Sequence, residues 1–167
     1  VLYSYSRRTA RNSANFLERV VEQMPFPVQR VQMNRGREFF GLVFQEKLQA
    51  YSIKFRAARP YSPHLNGKLE RSQKTDLQEF YVTANLKDHQ LNERLEEWQF
   101  HYNLYRSRSS LKGKTPMDVV TEKSALTPLW EEIEARYDPS IKTIWEQNYG
   151  WERKLSKYRK KGKPAEN

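Results

Sequence analysis

VQMNRGREFF (residues 31–40) starts as a strand, breaks at Asn34-Arg35-Gly36 and turns helical. Val28 and Val31 supply the main apolar side chains of a short strand, Val28–Met33. Phe40, Val43, Phe44 and Leu48 then predict a helix over Glu38–Ala50. Ser52–Ala57 alternates apolar and polar residues, with Ile53 and Phe55 on one face, as a second strand should. Short strands alternating with helices imply βα units and a mainly parallel sheet. Ala58–Asn66 holds Pro60 and Pro63 and runs into Asn66-Gly67, so it reads as a loop. From Gly67 a helix is expected to about Tyr81, with Leu69, Gln73, Leu77 and Phe80 on one stripe.

Upstream, Val1–Tyr5 is β-prone and reads as the end of another strand. Ala14, Leu17, Val20, Val21 and Met24 give Thr9–Gln23 a helical period, and Pro25 and Pro27 end it. Downstream, Leu91, Leu95, Trp98, Tyr102 and Tyr105 mark the clearest helix, with Asp88 placed to cap it and its stripe expected in the core. Thr115-Pro116-Met117-Asp118 combines a cap, an N1 proline and an acidic N3 residue. Thr127-Pro128 repeats the signal before Leu129–Tyr137. All three expected strands precede residue 60, so the sheet reads as small and incomplete on its N-terminal side. An open edge at Val1–Tyr5 would expose unpaired backbone, and predicts marginal stability or self-association.

The chain has 167 residues, a net charge of +10 and a pI near 9.8. Its 10 Tyr, 8 Phe and 4 Trp are too many for a disordered chain. No apolar run reaches the roughly 20 residues of a membrane span, and no signal-peptide pattern opens the chain. With no Cys, disulfides, thiolate metal sites and a Cys nucleophile are excluded. His64, His89 and His101 lack metal-ligand spacing. Residues 1–75 hold 14 Lys/Arg against 5 Asp/Glu, and residues 152–167 hold 7 against 2, whereas the stretch between is mildly acidic. Such asymmetry points to a polyanion, most often nucleic acid. A solubilising surface is the plain alternative, above all for the tail.

In open α/β sheets, ligands sit beyond the carboxyl ends of the strands. Asn34 directly follows its strand, and Glu70 opens the helix after the proline-rich loop, with 35 residues between them. The intervening helix and strand return the chain to the same sheet edge, where the two side chains can converge.

VQMNRGREFF and RPYSPHLNGKLER (residues 59–71) resemble the core of transposases and retroviral integrases. In that family the first segment reads roughly Thr-Asp-Asn-Gly-x-Glu-Phe after a strand, and the second Ser-Pro-x-x-Asn-Gly-x-x-Glu-Arg. YNLYRSRSSLKGKTPMD (residues 102–118) is similar to the Tyr-Asn-x-x-Arg-Pro-His-x-x-Leu-x-Gly-x-Thr-Pro segment of bacterial insertion-sequence transposases. The resemblance implies an α/β, ribonuclease-H-like fold, here a truncated core with extra C-terminal helices. It also implies an Asp-Asp-Glu set holding two Mg²⁺ or Mn²⁺ ions. In-line phosphoryl transfer uses such metals about 3.5–4 Å apart, and hard cations want anionic oxygens.

This chain departs from that pattern. Asn34 stands at the second Asp, and the first Asp belongs to a strand expected before Val1. Met33 and Arg35 replace the motif's Thr and Asn, and Ser107-Arg108 its Pro-His pair. Glu38, the nearest other carboxylate, reads as an N-terminal helix acid. Glu70 is the expected surviving metal ligand and Asn34 the degenerate one, so a weak site at best. Lys74 fits either a DNA phosphate or an i,i+4 pair with Glu70. Arg56, Arg59, Lys68 and Arg71 cluster near the same edge and suit a phosphate backbone.

The expectation is therefore the C-terminal part of a DNA transposase or integrase catalytic domain, inactive in strand transfer on its own. A non-catalytic nucleic-acid-binding or partner-binding remnant, or a decaying product, are the alternatives. Residues 1–122 read as a partial integrase core and 123–167 as a helical extension with a basic tail. DNA is the expected partner, with a second copy or a separate N-terminal segment as further candidates. No membrane role is expected, and the place of action is the cytoplasm, at the nucleoid.

Overall fold

A computed structural model describes residues 1–58 and 67–138. The expected loop Ala58–Asn66, apart from Ala58, and the tail beyond residue 138 lie outside them. Contacts gather Val1–Tyr137 into one compact unit.

Helix α1 spans Ala10–Gln23, one residue inside the expected range, because Thr9 is its cap. The Thr9 hydroxyl accepts from the Asn12 N–H at 3.1 Å, which satisfies one orphan donor of the first turn. Strand β1 is Arg30–Met33 and strand β2 is Lys54–Ala57, paired in parallel with Arg30 beside Lys54 and Met33 beside Ala57. The helix expected over Glu38–Ala50 is divided into a 3₁₀ turn, Arg37–Phe40, and helix α2, Leu42–Ala50. Gly41 makes the break: its backbone is extended, and a Cβ there would collide with that of Ala10. Close approach of α1 thus overrides the helical period of the sequence. At the other end of α2, Ser52 adopts φ 54°, and the Ile53 N–H closes back on the Leu48 carbonyl at 2.9 Å.

Successive strand residues face opposite sides of the sheet. Val31, Met33 and Phe55 pack on a core of Ala14 and Leu17 from α1, Phe44 and Leu48 from α2, and Ile53. Arg30 and Lys54, and Gln32 and Arg56, are register partners on the opposite face.

A second cluster joins Phe80, Leu91 and Leu95, with Leu2, Tyr81, Ala84 and Trp98 against it. Val1–Tyr5 is not a strand, contrary to its composition. It lies extended along helix α4, Leu91–Leu104, and bonds to side chains instead of a ladder. The Leu2 N–H donates to Gln99 Oε1 at 2.5 Å. The Ser4 N–H donates to Asn92 Oδ1 at 2.7 Å, and Asn92 Nδ2 donates back to the Ser4 carbonyl at 3.3 Å. These bonds occupy the Leu2 and Ser4 backbone groups that an open strand edge would expose.

Helix α3 spans Gly67–Glu79, and of its expected stripe only Phe80, just past its end, is buried. Leu69 and Leu77 are 55% and 60% exposed, while Thr75 and Asp76 are buried. Asp76 Oδ1 accepts from Trp98 Nε1 at 2.9 Å, so a polar bond sets the rotation of this helix. Asp76→Ala should cost about 1–3 kcal/mol by leaving the indole N–H unpaired. Asp76→Asn, which keeps an acceptor oxygen, should cost much less. Urea denaturation of both variants checks this, and equal losses would contradict it.

Asp88 does not occupy the cap position of α4. Gln90 does, while Asp88, two residues earlier, accepts from the Gln90 N–H through Oδ1 at 3.0 Å. Along the α4 stripe Leu91 and Leu95 are buried and Trp98 packs against their cluster, whereas Tyr105 is 68% exposed. Helix α5, Pro116–Lys123, opens with the full capping box predicted for Thr115 and Asp118. The Thr115 N–H and hydroxyl hold the Asp118 carboxyl below its ordinary pKa. Helix α6 is Trp130–Ala135, capped at Leu129 without a side-chain bond. Thr127 donates instead to the Lys123 carbonyl at 3.3 Å, so its expected capping role is not realised.

Candidate functional site

The two parallel strands end side by side. The Ala58 N–H donates to the Met33 carbonyl at 2.8 Å, which places Asn34 and Ala58 together at their carboxyl ends. Asn34 is exposed, and its Oδ1 accepts from the Gly36 N–H at 3.0 Å. The oxygen a cation would need is thus turned into its own loop. Arg35 Nε donates to the Ala58 carbonyl at 3.0 Å and ties the ends of β1 and β2 together. Glu38 folds back over Gly36, where an added Cβ would stand 2.5 Å from its Oε1. This is a tight local packing contact in addition to the dipole role read from the sequence.

Glu70 lies in the first turn of α3 and is exposed. No hydrogen bond or ion pair joins it to Asn34, or to Lys74, among the described residues. Lys68, Arg71 and Lys74 are exposed on the same helix, and Arg56 is half-buried on the outer face of β2. Arg59 lies outside the described residues. The geometry therefore brings Asn34 to the strand ends as expected, but no bond links it with Glu70.

Arg56, Lys68, Arg71 and Lys74 make no ion pair among the described residues. Lys47 differs, meeting Glu18 at 2.5 Å, and so do Arg106 with Glu79 and Lys114 with Glu122. Arg106 holds the Glu79 carboxyl below its usual range, chiefly through their hydrogen bond. These partnered cations are less available to an outside anion.

Sequence reasoning missed Arg30 and Lys54, which share the outer face with Arg56. Their signal is parity: in strands paired in register, Arg30 with Gln32 and Lys54 with Arg56 alternate with the apolar residues. It also read Arg35 only as a loop residue and a changed motif position.

The residues do not fit the metal pair that the resemblance implies. A neutral amide with its oxygen engaged stands where the resemblance expects a ligand, a guanidinium is fixed beside it, and Glu70 is solvent-exposed. Among the described residues no group of three or more His, Cys, Asp or Glu is placed to hold a metal ion. No helix there is long and apolar enough to cross a membrane.

Residues 51–116 match the family model described as integrase core domain. The fold is similar to that of the catalytic core domain of BIV integrase, with a TM-score of 0.57 and 17% identity. The match covers 73% of this chain and 77% of that one. No curated protein matches the chain. Residues 51–116 are thus similar to an integrase core domain, and the parallel strand pair with the helices around it is similar in fold to an integrase catalytic core.

Proposed function

We propose that this domain binds DNA through a basic surface and does not carry out strand transfer on its own. The observation behind this is Asn34, whose side-chain oxygen is bonded to the Gly36 N–H where the fold's chemistry calls for a carboxylate. Divalent metals held by carboxylates would polarise the attacked phosphate and stabilise the attacking and leaving oxygens. Of this chain's own candidates, Glu70 keeps its carboxylate and Asn34 has none. Arg56, Arg59, Lys68, Arg71 and Lys74 follow a phosphate backbone by charge and fix its position without reading sequence. Residues 1–122 form the core-like part of this reading and 123–167 its extension. The site of action is the nucleoid, with a second copy or a further N-terminal segment as candidate partners.

The test is joining of a labelled oligonucleotide to plasmid in Mg²⁺ and in Mn²⁺. No joined product above background is expected. Asn34→Asp alone should not restore joining, because it supplies one acid to a site that needs several and leaves Arg35 in place. Product that disappears in Glu70→Ala would overturn the reading.

A further inference from the structure

We propose that the carboxyl end of the two strands is an anion site, holding one phosphate group through Arg35 and the Asn34 amide without a metal ion. The charge logic at this edge is the reverse of a cation site. The Arg35 bond to Ala58 reaches across 23 residues of chain and anchors the guanidinium through Nε. Its two terminal nitrogens make no hydrogen bond or ion pair among the described residues, so a fork of N–H donors remains. A guanidinium held in this way loses little freedom on binding and matches two oxygens of a phosphate.

Asn34 completes the donor set. Its oxygen is committed to the Gly36 N–H, so the NH₂ is the half of the amide left for a ligand. The opposing group is the Glu38 carboxylate, folded against Gly36. Arg37, exposed and without an ion pair among the described residues, offsets that charge. With Arg35 the local balance is positive, which favours an anion. The phosphate is either free or part of a DNA backbone, and only the second source rests on the proposed function.

The test uses the full chain labelled with ¹⁵N. Inorganic pyrophosphate is titrated while the Arg35 Nε–H and Asn34 NH₂ resonances are followed. Both should shift together and saturate, and trace Mn²⁺ should not broaden either. Arg35→Lys keeps the charge and loses the fork, and should weaken the Asn34 shift at least tenfold. In a second arm, Arg35→Ala, its fold checked by circular dichroism, should bind labelled duplex about tenfold more weakly. That loss should be the same in EDTA as in Mg²⁺, with the salt slope flatter by about 1. An absent pyrophosphate shift, or broadening of Asn34 by Mn²⁺, overturns the site. Should wild-type protein ignore duplex yet show the pyrophosphate shift, the DNA reading fails and the site stands. If Arg35→Ala binds duplex as wild type does and pyrophosphate shifts nothing, the site fails and the DNA reading stands.

Discussion

Affinity for duplex DNA should fall about a thousandfold between roughly 50 and 200 mM salt. If about five or six phosphates are neutralised, released counterions give a log–log slope near −5. The cations that supply this are Arg56, Lys68, Arg71 and Lys74, which have no ion pair among the described residues, together with the basic tail of the sequence. The dissociation constant should lie at roughly 10⁻⁴–10⁻⁶ M at physiological salt, the range of non-specific binding. Lys74→Ala should weaken all sequences about equally, because a phosphate contact carries no base information. Deleting residues 153–167 removes seven cations and should flatten the slope. Fluorescence anisotropy with two unrelated duplexes across a salt series measures each effect. Binding that ignores salt, or its absence at low salt, would defeat the expectation.

Phe44→Ala should destabilise the domain by about 3–5 kcal/mol, the cost of removing a core aromatic and leaving a cavity. Phe44 is fully buried and meets Phe39 and Phe55 edge-on, with centroids 5.6 and 6.4 Å away. It also lies in the cluster that joins α1, α2 and the inner face of the sheet. Because total stability of a domain is about 5–15 kcal/mol, the loss is a large fraction of it. The midpoint temperature should drop by something on the order of 10 °C. Leu126→Ala is the control: that side chain is 81% exposed and should change stability by no more than about 0.5 kcal/mol. Thermal melts of both variants by circular dichroism decide it. A Phe44→Ala midpoint matching wild type would show that α1 and α2 are not held through this ring.

Local signals in the sequence determined most of the helices and both strands. Thr9 and the Thr115–Asp118 box place helix starts by hydrogen bonds that close within one turn, so neighbouring residues suffice to specify them. The alternation in Ser52–Ala57 marks β2 for a similar reason, since a strand with one buried face carries its own period of two. The order of strand, helix and strand was enough for a parallel pair, and the motif spacing was enough to suggest the integrase-like core.

Tertiary contacts decided the rest. Gly41 breaks an expected helix because Ala10 approaches it from α1, a contact 31 residues distant in sequence. Val1–Tyr5 reads as a strand, yet it satisfies its backbone on Asn92 and Gln99, which no local pattern reveals. The rotation of α3 follows the Asp76–Trp98 bond rather than its leucines. At the strand ends, the sequence by itself placed Asn34 where the resembled motif has Asp. Only the fold put Arg35 on the Ala58 carbonyl, because that bond joins strand ends 23 residues apart in the chain, whereas the Asn34 oxygen bonds locally to the Gly36 N–H.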